Sequence, residues 1–86
     1  MHEASLMQDL MRKILDVARA QNASRVVAVH VRLGALCHMD ANHFRYHFEH
    51  AAAGTAAQGA AIHARLDPDI LAPAAADFLL ESVEVA

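Results

Sequence analysis

The sequence predicts an α/β fold: a small open three-stranded mixed sheet with two helices on one face, in the order αβαββ. Three observations lead there. Apolar residues recur at helical spacing over residues 3–20 and 41–53, whereas over 25–36 and 60–66 they alternate with polar ones. A β-rich run at 78–85 closes the chain. With 86 residues there is room for one core only, since a chain of this size buries only about 60 to 65% of its unfolded surface. Twenty of the 48 apolar residues are alanine, so 28 side chains must fill that core. It will be thin.

The first helix follows from Leu6, Met7, Leu10, Met11, Ile14, Leu15, Val17 and Ala18, which fall on one stripe. Ser5 with Gln8 has the form of a capping box, leaving the first four residues as a free, exposed arm. In the first strand Val27, Val29, Val31 and Leu33 share one face, opposite Ala28, His30 and Arg32. The chain turns at 34–40, and Asp40 or Asn42 can cap a second helix whose apolar face is Phe44, Phe48 and Ala51 or Ala52. Gly54-Thr55 ends it. In the second strand Ile62, Ala64 and Leu66 point inward, with His63 and Arg65 outward. Prolines at 68 and 73 then interrupt the pattern before the third strand begins. The helical crossover between the first two strands allows them to be parallel if it is right-handed.

Charge and composition exclude several classes of function. Seven basic residues against ten acidic give a net charge of −3 without a Lys/Arg cluster, which argues against nucleic acid as a partner. No apolar run reaches the roughly 18 residues of a membrane span and the N-terminus resembles no signal peptide, so neither a membrane nor secretion is expected. The expected location is cytoplasmic. No nucleophile and base pair or phosphate loop is visible, and an enzyme is not expected. Cys37 is the single cysteine, so any metal site would be built mainly from the seven histidines, an excess that is the first chemical hint.

Met1-His2-Glu3, Ser5-Leu6, Leu33-Gly34-Ala35-Leu36, Phe44-Arg45-Tyr46-His47-Phe48, Gly54-Thr55, Gly59-Ala60 and Ser82-Val83-Glu84-Val85 together resemble the HypA/HybF family of nickel metallochaperones. The order and spacing of these motifs, each weak alone, span nearly the whole chain. The resemblance implies a protein that binds Ni(II) and delivers it for nickel–iron hydrogenase maturation. Its implied partners are a HypB-type GTPase and the hydrogenase large-subunit precursor. Family members normally insert a zinc domain with two C-x-x-C pairs between the last two strands. Here only the connection 67–77 occupies that place, so residues 1–86 read as a single nickel-binding domain with no structural zinc expected. The alternative is a zinc-less interaction module or regulator that docks on the maturation GTPase without delivering metal. Cys37 and Gln58 stand where the family commonly has serine and glutamate.

The implied metal residues are Met1, His2, Glu3 and Asp40. A free α-amine at Met1, the deprotonated amide nitrogen of His2 and its imidazole form fused five- and six-membered chelate rings, a nitrogen set that suits square-planar Ni(II) or Cu(II). A histidine at position 2 also favours retention of the initiator methionine. The Glu3 amide is the family's candidate for a fourth donor, while the Glu3 carboxylate can equally serve the helix dipole. Asp40 matches a position where some members carry a carboxylate near the metal, and it is also a natural N-cap. Affinity should fall with acidification, because amine and imidazole must lose protons to coordinate.

The other histidines keep two readings each. His43, His47 and His50 have metal-ligand spacing on one helix side, or form the solvated edge of the buried face. His30 and His63 share a polar sheet surface with Arg32 and Arg65, and Cys37-His38 is either a soft ligand pair or a buried cysteine beside a turn histidine. Met7 and Met11 on the first helix read as core in preference to a copper site. The open sheet face and the edge of the last strand further suggest a homodimer.

Overall fold

The computed structural model describes residues 2–73 and 75–86, the side chains of His2 and Glu3 excepted. The elements are α1 (His2–Ala20), β1 (Val26–Leu33), α2 (Ala41–Ala52), β2 (Ala61–Leu66) and β3 (Phe78–Val85). β1 lies in the middle of a mixed sheet of order β2-β1-β3, parallel to β2 and antiparallel to β3. This is the expected small α/β fold in the order αβαββ. Met7, Leu10, Met11, Ile14 and Ala18 of α1 and Phe44, Phe48 and Ala52 of α2 are buried in one core with Val26, Val29, Val31 and Leu33. Removing the larger of these side chains from water stabilises by about 1.5 to 3 kcal/mol each, before the entropy of ordering is set against it.

Three expectations need correction. α1 starts at His2, so Ser5 lies inside the helix and caps nothing, and residues 2–4 of the expected free arm are helical. Ala4 is an excellent helix former, and no Gly or Pro stands before Ser5 to stop the helix from growing backward. Val27 is 40% exposed and Val26 takes its place in the core, because the pairing with β3 slips by one residue between Val26 and Ala28. An extra residue in one strand reverses the faces beyond it. Leu66 is 53% exposed instead of inward, since it ends an edge strand where the chain leaves the shelter of α2.

Both helix exits and the second helix entry are built from local chemistry. Asn22 adopts φ 53° after α1, with Asn22 N–H donating to the Arg19 carbonyl at 3.1 Å and Ala23 N–H to that of Ala18 at 2.9 Å. This is the paired-bond exit usually made with glycine. After α2, Gly54 at φ 79° donates its N–H to Gln58 Oε1 at 2.7 Å. Between β1 and α2, His38 sits at φ 60°, a left-handed conformation costing about 1 to 2 kcal/mol for a residue with a Cβ. The turn points the neighbours Cys37 and Met39 into the core while His38 stays exposed.

Candidate metal centre

Of the four implied metal residues, Met1 lies outside the described residues, and so do the side chains of His2 and Glu3. The backbone of His2 and Glu3 forms the first turn of α1. That position matters chemically. The first four N–H groups of an α-helix have no intrahelical acceptor, so the amides at positions 2 and 3 are not committed to the ladder even when the turn is helical.

Asp40 is the N-cap of α2. Its backbone is extended (φ −89°, ψ 176°), its carbonyl accepts from Phe44 N–H at 2.9 Å, and its Oδ1 accepts from His43 N–H at 2.8 Å. The capping reading of this residue is therefore realised in full, with Oδ2 the oxygen left for a cation. Asp40→Ala should destabilise the fold by about 1 kcal/mol, whereas Asp40→Asn, which keeps a capping oxygen, should cost only a few tenths. Urea unfolding of the two variants measures the difference; equal stability of the two would show that the capping oxygen contributes nothing.

The remaining histidines are sorted by their contacts. His30 and His63 are register partners on β1 and β2, and their rings stack at 4.5 Å with 12° between planes. His30 Nε2 lies 2.8 Å from Glu84 Oε2, while Arg65 donates to Glu81 at 2.8 Å. The polar sheet face is thus largely self-paired. On α2, His43 and His47 meet through their Nε2 atoms at 2.9 Å, but His50 packs against Tyr46 at 4.6 Å, so the histidine stripe splits into a pair and an outlier. Cys37 is buried and its Sγ–H donates to the Met39 carbonyl at 3.4 Å, which takes it away from His38 as a ligand partner. A serine hydroxyl would make that same bond, and a glutamate would accept from Gly54 as Gln58 does. Among the described residues, no three His, Cys, Asp or Glu side chains converge on a common point. Sequence reasoning did not foresee the His30–Glu84 contact, which depends on the pairing of β1 with β3.

A family model described as hydrogenase/urease nickel incorporation, metallochaperone, hypA matches residues 1–72. This chain belongs to the HypA family. It is 41% identical over 71 residues to the hydrogenase maturation factor HypA of Methylocella silvestris, covering 83% of this chain and 59% of that protein. The HypA proteins of Methanopyrus kandleri and Thermococcus kodakarensis are 38% identical over 60 residues and 42% over 62. They cover 70% and 72% of this chain, and 42% and 45% of their own lengths. The chain thus spans about half the length of the curated HypA relatives it matches. Among the described residues no helix is long and apolar enough to cross a membrane.

Proposed function

We propose that this chain is a nickel-binding metallochaperone domain that takes up one Ni(II) at Met1, His2 and Glu3 and delivers it for nickel–iron hydrogenase maturation in the cytoplasm. The observation that carries the reading is the HypA match reaching back to residue 1, together with a helix start that leaves the amides of His2 and Glu3 without intrahelical acceptors. Nickel is cargo here, so the chain performs no catalysis. The donors are the Met1 amine, the His2 amide and imidazole, and the Glu3 amide. The Asp40 carboxylate is included as a further anion for the ion, as the family resemblance implies, through the Oδ2 that the cap leaves free. Asp40→Asn should then keep the cap and weaken nickel binding, separating the two roles of that residue.

The proposal extends to a HypB-type GTPase and the hydrogenase large-subunit precursor as partners, and to self-association through the sheet edge. It includes no structural zinc within this chain, because the single thiol, Cys37, is buried and structural zinc takes four ligands. Residues 1–86 act as one nickel-binding unit with 67–77 as a short connection. That connection is tied back by Asp67 N–H to the Leu33 carbonyl at 2.9 Å and Leu36 N–H to that of Ala75 at 2.7 Å. Equilibrium titration of the chain with its natural N-terminus against Ni(II) tests the reading. One ion per chain at micromolar strength, about −8 kcal/mol, that is lost when a residue is placed ahead of Met1 supports it. Its absence would leave a docking module that carries no metal.

A further inference from the structure

The i, i+4 pair on α2 does more than edge the buried face. His43 and His47 are both exposed, their ring centroids are 4.7 Å apart, and their Nε2 atoms meet at 2.9 Å. Tyr46 stands edge-on to His47 at 5.4 Å and to His50 at 4.6 Å, which supports the His47 ring and holds His50 aside. We propose that His43 and His47 form a second metal site, a two-imidazole chelate for a late first-row divalent cation, independent of the N-terminal donors.

The two nitrogens are close enough to share one ion. Nitrogens about 2.05 Å from a metal and subtending a right angle lie about 2.9 Å apart, against about 3.4 Å for a tetrahedral angle. The two nitrogens, hydrogen-bonded at 2.9 Å, are within reach of two cis positions in a tetragonal or octahedral field, which Cu(II) and Ni(II) favour. One Nε2 donates to the other here; when that ring takes its Nδ1–H tautomer and both rings rotate slightly, both Nε2 lone pairs face one point outside the helix. The helix supplies the rest: residues four apart on one face are already neighbours, so little freedom is lost when the second imidazole binds. No third His, Cys, Asp or Glu joins the pair among the described residues. The other positions are left to water or to a donor from another molecule, and the ion is held loosely enough to exchange.

The test uses the full chain with His2→Ala and one extra residue ahead of Met1, so that the N-terminal chelate cannot form and the two sites are read separately. Cu(II) and Ni(II) are titrated by calorimetry, with the imidazole NMR signals followed for paramagnetic broadening. One ion per chain should bind, Cu(II) more tightly than Ni(II) or Zn(II), and the His43 and His47 signals should broaden before those of the other histidines. In the same background, His43→Gln or His47→Gln should each lower affinity at least tenfold, since even outer-sphere changes cost about 10- to 100-fold. His50→Gln should leave it unchanged. Both paired side chains are exposed, so metal-free melting curves should not move. Broadening spread evenly over His30, His38, His50 and His63, or affinity unchanged in both paired variants, would overturn the proposal.

Discussion

Replacing His2 by alanine should weaken Ni(II) binding at least 100-fold, about 2.7 kcal/mol, and so should a single residue placed ahead of Met1. The two changes act on different atoms. The alanine variant removes the imidazole and with it the six-membered chelate ring; the extension converts the α-amine into an amide and removes an end donor. Neither touches the packed part of α1, whose buried stripe begins at Met7, so thermal stability should be the same in all three proteins. Lowering the pH should weaken binding to the natural N-terminus, since protons compete for the donors. Calorimetry on the three proteins decides the matter. Unchanged affinity in both variants would exclude the N-terminus as the nickel site.

Phe44→Ala should be the most damaging single substitution in the core, costing about 3 to 5 kcal/mol. Phe44 is fully buried, lies 6.1 Å from Phe48 on its own helix, and meets Phe78 edge-on at 5.2 Å. It therefore joins α2 to the first residue of β3, the strand that returns after the connection. A domain of this length has only about 4 to 13 kcal/mol in total, and with 28 larger apolar side chains it belongs toward the lower end. The melting temperature should fall by roughly 20 °C, at 4 to 8 °C per kcal/mol. Tyr46→Ala, two positions along and 58% exposed, should stay within about 0.5 kcal/mol of the parent. A loss below about 1 kcal/mol in Phe44→Ala would mean that the aromatic contacts close without it.

Most of the fold could be read from apolar periodicity, because each helix and strand has one face toward a shared core. Phe44 and Phe48 and the alternation from Val29 to Leu33 are direct statements of which side chains leave water. The misread positions are those where pairing with a distant strand overrides local pattern. Val27 looks as apolar as Val26, and only the slip against β3 decides which of them is buried. The start of α1 escaped for a different reason: Ser5 is a good cap, but a cap competes with a helix that can simply grow backward through Ala4. In the candidate centre, Asp40 was legible as a cap from its position before an apolar face. The meeting of His43 with His47, and the turn of His50 toward Tyr46, depend on ring rotamers that spacing alone does not specify.

The slip at Val27 has a counterpart. Pairing runs Val26↔Val85, then Ala28↔Glu84 through His30↔Ser82, then Val31↔Leu80, so β1 carries an extra residue at 27 and β3 carries one at 81. In β3 the apolar phase reverses at that point: Phe78 and Leu80 face inward before it, Val83 and Val85 after it. Strict alternation from Phe78 would instead bring Ser82 and Glu84 into the core. The two strands are consequently matched in length, and a deletion in one is compatible with this core only alongside a deletion in the other. Losing Val27 and Glu81 together leaves every ladder pair and every face unchanged and removes only the Arg65–Glu81 side-chain contact, while losing either alone shifts one half of the ladder against the other. For this sheet the heritable unit of length change is a pair of residues more than fifty positions apart in the chain.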